Sequence, residues 1–222
     1  PSLIKALDQY PYGCSEQTLS TALPLLYLGD VATAYGVAAD RAGLDQRIDR
    51  AILTVLSRQT GSGAIGLWSS ADADDPWLSA YAYDALTRMA KAGHYVPGAA
   101  YGALRQYLAG VLNDPERGDS PARAYALYAL ARTGHAGGSD VRYFAQTSGA
   151  GLKTGLAVAQ VAAALAIVGE PQRAQAAFAR ATGTVRPTAY WRDYGSPTRD
   201  GAATLALMLE SGIGGAGQRL AA

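Results

Sequence analysis

Apolar and polar positions repeat with a helical period along almost the whole chain. Leu78, Tyr81, Ala82, Ala85, Leu86 and Met89 fall on one helical face, as do Ile48, Ile52, Val55 and Leu56, and again Ala124, Leu127, Tyr128 and Ala131. No comparable run alternates with a period of two. Glycine and proline punctuate the periodic segments, among them Gly36, Gly61 with Gly63, Gly93, Pro115 with Gly118, Gly134, Gly149, Gly169 with Pro171, Gly183 with Pro187, and Gly212. The pattern predicts about nine or ten helices, paired into roughly four to five αα-hairpins. Asp75-Pro76 and Ser120-Pro121 read as helix starts, with a capping side chain and then proline at the first helical position. Ser15, Glu16 and Gln17 begin the apolar-periodic run TLSTALPLLYL, which reads as one helix. Two segments fall outside the pattern, Gln59 to Asp75 and Thr184 to Thr198, and loops of that length more often carry function than not.

Hairpins of varying length, with no fixed repeat of about 34 residues, argue against a tetratricopeptide solenoid and for hairpins arranged in a closed or nearly closed ring. Alanine-rich helices suit that arrangement because their axes can approach closely. With 14 tyrosines and only 2 phenylalanines, many rings keep a hydroxyl near water or a polar partner. The 222 residues are 49% apolar, enough for one globular domain without covalent staples. A net charge of +1, with acids and bases interspersed, lacks the basic surface that nucleic acid requires, so no nucleic-acid partner is expected. The longest apolar run, Leu156 to Val168, is interrupted by Gln160 and is too short to span a bilayer. The chain opens at Pro1 without methionine and stops within the helix-like phrase GQRLAA, which suggests a segment cut from a longer polypeptide.

The single cysteine, Cys14, lies in PYGCSEQTLS between a turn at Pro11 and Gly13 and the first turn of a helix. Cys14 and Gln17 are related as i and i+3, so their side chains can share a face, and a bond from sulfur to the glutamine carbonyl carbon would close a ring of about fifteen atoms. The spacing permits an internal thioester, formed when the thiol displaces ammonia from the carboxamide. Spacing alone leaves a buried structural thiol as the plainer reading. Asp72, Asp74 and Asp75 form a D-x-D-D phrase that admits a terpene-cyclase-like enzyme, although an acidic triplet in a Gly/Ser/Asp loop is more often a solvated turn. A cysteine hydrolase built from Cys14, a histidine and Asn113 would leave Gln17 unexplained, and a plain helical interaction module would leave Cys14 idle. His94 and His135 each follow a glycine near a helix end, where a capping role is ordinary. No cluster has metal-ligand spacing, and no metal or cofactor is expected.

PYGCSEQT resembles, through eight consecutive residues, the thioester signature of the alpha-2-macroglobulin and complement family, in particular its bacterial branch. QTGSGAIGLW, DPWLSAYAYDAL, SPARAYALYALAR and YWRDYGSPTRDGAATLAL are similar to that family's thioester domain in order and spacing. The resemblance implies an all-α fold, an α/α-toroid of antiparallel hairpins like that of terpenoid cyclases, with residues 1–222 as one thioester domain of a larger multidomain parent. The helices are fewer than a complete toroid has, which leaves open a toroid lacking its last hairpin. Residues 11–18, with Pro11, Tyr12, Gly13 and Glu16 around the bond-forming pair, would begin the first toroid helix.

The resemblance further implies a non-enzymatic protease inhibitor. Cleavage of a bait region elsewhere in the parent uncovers the thioester, and a lysine amine of the attacking protease is acylated by Gln17. Tyr10, Tyr12 and Trp191 are the candidates for shielding the bond from water. Further partners implied are other domains of the parent and a peptidoglycan synthase of the penicillin-binding class, with the parent periplasmic and lipid-anchored to the inner membrane. Complement-type members carry a histidine that passes the acyl group to hydroxyls. Neither His94 nor His135 matches it, so direct aminolysis by lysine is expected.

Overall fold

The computed structural model describes residues 13–34, 41–187 and 191–213. Among them are ten α-helices and no strand, the closest approach to pairing being one isolated bridge between Gln59 and Ile65. The helices are α1 (Ser15–Ala22), α2 (Leu25–Ala34), α3 (Arg41–Leu56), α4 (Pro76–Lys91), α5 (Gly98–Asn113), α6 (Ser120–Arg132), α7 (Gly138–Thr147), α8 (Gly155–Ile167), α9 (Pro171–Gly183) and α10 (Pro197–Glu210). The all-α expectation holds. The chain forms two compact units, residues 1–107 and 108–222.

In the first unit α1 packs on α3 and α4. The stripes read from the sequence are the core: Ile48, Ile52 and Val55 of α3 and Leu78, Ala82, Ala85, Leu86 and Met89 of α4 are buried, with Leu19 of α1 among them. Tyr81, at the edge of the α4 stripe, is half-buried, and its hydroxyl meets Ser20 Oγ at 3.1 Å. Burying each of the Leu, Ile, Val and Met side chains is worth about 1.5–3 kcal/mol, which fixes α1 on its neighbours more firmly than its eight residues could by themselves.

Two boundaries differ from the sequence reading. The run TLSTALPLLYL is not one helix, because Pro24 has no N–H to donate and its ring crowds the preceding turn; α1 stops at Ala22 and α2 starts at Leu25. The cap of α6 is Asp119, not Ser120: its carboxylate accepts from Ala122 N at 3.1 Å, one residue earlier than read. The cap of α4 is Asp75 as expected, accepting from Leu78 N at 2.9 Å with Pro76 behind it.

The second unit is organised by α8. This helix is apolar on every face except at the buried Gln160 and is buried from Gly155 to Leu165, packing against α6, α9 and α10, so the apolar run of the sequence is a central core helix. No described helix is long and apolar enough to cross a membrane. Gly155 makes the packing close: a Cβ there would press on the carbonyl oxygen of Ala181 in α9. Both histidines follow αL glycines, Gly93 at φ 101° and Gly134 at φ 76°. The N–H of His94 bonds Met89 O at 3.1 Å and that of His135 bonds Leu130 O at 2.8 Å, which makes both part of helix C-caps.

Candidate functional site

Cys14 is the N-cap of α1, and it is a working cap. Its backbone is extended, at φ −62° and ψ 172°, and its sulfur accepts from Gln17 N at 3.5 Å. In return the Gln17 side chain folds back so that Oε1 accepts from Cys14 N at 3.2 Å. This reciprocal pair is a capping box in which sulfur and a carboxamide take the places of the usual hydroxyl and carboxylate. The consequence is chemical: each of the two side chains that could share a thioester is folded onto the backbone N–H of the other residue. Cys14 is only 7% exposed, so its sulfur is largely withheld from water, while Gln17 is half-buried.

The first turn of α1 is seated on the long loop between α3 and α4. Ser15, fully buried, donates from its N–H to Leu67 O at 2.8 Å and from Oγ to Gly66 O at 2.7 Å. Arg58, just past α3, donates through Nη2 to Gly13 O at 3.0 Å and through Nη1 to Ser15 Oγ at 3.2 Å, while its own carbonyl accepts from Gly66 N at 2.9 Å. Three separate stretches of chain, 13–15, 58 and 66–67, are thus stitched around Cys14. Glu16 occupies the first turn, where a carboxylate suits the helix dipole, and accepts from Ser20 Oγ at 2.7 Å.

Gly66 is there because nothing larger fits. A Cβ would collide with the carbonyl oxygen of Ser69 and crowd that of Arg58. Gly66→Ala is therefore expected to cost about 1–3 kcal/mol in urea unfolding, since backbone has to shift to make room; an unchanged midpoint would mean the loop is not held as described.

The loop's acidic triplet is spent on building it. Asp72 accepts from Trp68 N at 2.6 Å, Ser69 N at 3.0 Å and Ser69 Oγ at 2.8 Å, and these bonds, led by the one from Trp68 N, lower its pKa. Asp74 accepts from Thr60 and Ser62 hydroxyls at 2.9 and 2.7 Å, and Asp75 caps α4. The triplet is engaged in turns and a cap, the role a Gly/Ser/Asp loop ordinarily gives it. His94 is also committed, its Nδ1 lying 2.8 Å from Asp49 Oδ1.

Of the residues singled out in the sequence, Cys14 and Gln17 are brought together and Gly13 and Glu16 flank them. Tyr10, Pro11 and Tyr12 lie outside the described residues. Trp191 belongs to the second unit and is 77% exposed. Arg58, Ser15 and Gly66 were not singled out as site residues. The available signal was the phrase QTGSGAIGLW, whose glycines imply close backbone approach, with Arg58 directly upstream of Gln59.

No family model matches the chain. Over 228 aligned residues it is 32% identical to the alpha-2-macroglobulin of Escherichia coli K12, an alignment that takes in 94% of the chain and 14% of the relative. The chain is a homologue of one segment of the bacterial alpha-2-macroglobulins. It spans about one seventh of that relative's length. Among solved alpha-2-macroglobulins, the Salmonella protein reacted with methylamine matches with a TM-score of 0.86 and 32% identity, over 95% of this chain and 15% of that one. The trypsin-activated protein of E. coli matches with a TM-score of 0.81 and 31% identity, over 92% of this chain and 15% of that one. The α/α-toroid class implied by the signature accords with these alpha-2-macroglobulin neighbours.

Proposed function

We propose that Cys14 and Gln17 form an internal thioester and that this chain is the thioester domain of a protease-inhibiting alpha-2-macroglobulin. The observation that carries the reading is the reciprocal cap, Cys14 N–H to Gln17 Oε1 and Gln17 N–H to Cys14 Sγ. In bond formation the sulfur attacks Cδ of Gln17, the C–Nε2 bond breaks, and the nitrogen leaves with the thiol proton as ammonia. The product is a stored acyl group whose sulfur is buried and whose acyl carbon sits on a half-buried side chain. An amine later attacks the same carbon, the C–S bond breaks, and the thiol is regenerated with the amine's proton. The bond is consumed once, so the role is that of a trap, not of a turnover catalyst.

Likeness to a relative reacted with methylamine and to one activated by trypsin supports extending the acceptor to a protease lysine. Bait-region cleavage as trigger, the shielding aromatics Tyr10, Tyr12 and Trp191, a periplasmic lipid-anchored parent and a peptidoglycan-synthase partner belong to the same proposal.

Intact mass tests the central step. The thioester form should weigh about 17 Da less than the sequence, and methylamine should raise it to about 14 Da above, with the adduct mapped to position 17. Slow hydrolysis leaves glutamate at position 17 and a mass about 1 Da above the sequence, which distinguishes a spent thioester from one never made. Gln17 recovered intact beside a free thiol would contradict the proposal.

A further inference from the structure

Arg58 touches the motif at two points that straddle Cys14. Its terminal nitrogens donate to Gly13 O and Ser15 Oγ, at 3.0 and 3.2 Å, and both acceptors are neutral oxygens of the motif, not carboxylates. Ser15 Oγ passes the constraint on, donating to Gly66 O. The residues before and after Cys14 are thereby tied to one planar guanidinium, and the extended backbone of Cys14 is fixed from both sides. That backbone aims the Cys14 N–H at Gln17 Oε1.

We infer that Arg58 is a positioning residue for acyl transfer at Gln17, acting through Gly13 and Ser15 to hold the Cys14 N–H as the donor to the developing oxyanion. The inference rests on the thioester reading above. When sulfur or an amine adds to Cδ, the carbon becomes tetrahedral and the electron pair of the carbonyl moves onto Oε1. The Cys14 N–H that met a neutral oxygen now meets a negative one, so its bond strengthens in the transition state and lowers the barrier. As the tetrahedral state collapses the pair returns to carbon, and either Nε2 leaves as ammonia or sulfur leaves and recovers a proton from the attacking amine. A donor helps only if it is already aimed, and aiming it is the task left to Arg58.

The test compares the parent chain with Arg58→Gln and Arg58→Lys. Three quantities are measured: the fraction of chain lacking ammonia by intact mass, the rate of methylamine uptake per thioester present, and the thermal midpoint. Lysine keeps the charge but lacks the planar fork that bridges the two oxygens in fixed geometry, so it should recover only part of what glutamine loses. For Arg58→Gln both thioester formation and the uptake rate are expected to fall by about tenfold or more in molecules that remain folded. Should Arg58→Gln fold poorly, Ser15→Ala removes one of the two acceptors and should show a smaller fall in the same per-thioester rate. An Arg58→Gln chain that acylates and reacts at the parental rate overturns the inference. So does a per-thioester rate that is unchanged while only the folded fraction drops, because that is a purely structural role. A parent chain that keeps Gln17 intact overturns both this inference and the thioester reading, whereas a parent that acylates leaves the reading standing whatever Arg58 does.

Discussion

A Gln17→Glu chain should keep Cys14 as a free thiol and take up no methylamine, while unfolding within about 1 kcal/mol of the parent. The two halves of that expectation come from different functions of the same atoms. As a cap, glutamate is at least the equal of glutamine: its carboxylate can accept from the Cys14 N–H as Oε1 now does at 3.2 Å, and negative charge in the first turn suits the helix dipole. As an acyl donor it fails, because a carboxylate is already negative at the atom that must accept charge and has no amine to expel. Cys14→Ser gives the complementary result. Serine is a favoured N-cap, so α1 stays, but a hydroxyl is a far weaker nucleophile than a thiol and the adduct at position 17 should vanish. Peptide mapping after methylamine treatment reads both variants. An adduct at position 17 in the Cys14→Ser chain would place the chemistry elsewhere. Loss of stability comparable to loss of labelling in either variant would mean that the pair serves chiefly as a helix cap.

How far the sequence reveals this arrangement depends on how local each interaction is. The α4 stripe, the proline and glycine boundaries and the Cys14–Gln17 spacing are set within one or two helical turns, and each reappears in the structure almost residue for residue. The break at Pro24 was legible too, but an apolar stripe that continues on both sides of it hid the interruption. The seat of the motif was not legible. Ser15 meets Gly66 and Arg58 across 51 and 43 residues of chain, and no periodicity connects them. A buried serine and a close-packed glycine look in a sequence like any other turn residues. Only the long loop itself, too polar to be core and too long to be a simple connection, indicated that something was being held there.

The second large effect is expected in the second unit, at Arg186. Its guanidinium, 9% exposed, donates to Asp193 Oδ2 at 2.6 Å and Asp200 Oδ2 at 2.7 Å, and those carboxylate side chains are 2% and 11% exposed. Burial works against its charge, but the hydrogen bonds to both aspartates win and hold its pKa above the ordinary arginine value. Arg199 adds Nη2 to Asp200 Oδ1 and Nη1 to the carbonyl oxygen of Asp193, both at 2.6 Å. The cluster fastens the loop before α10, including Tyr194, which stands at φ 54°, a left-handed conformation costing roughly 1–2 kcal/mol that the surrounding bonds must outweigh. Arg186→Ala removes a buried bond from each of two buried carboxylates, and should cost about 3–5 kcal/mol in urea unfolding. Arg199→Ala, at a position where the side chain is 30% exposed and water can substitute, should cost nearer about 1 kcal/mol. Equal losses for the two arginines would mean that the loop is held by packing and not by this buried charge cluster.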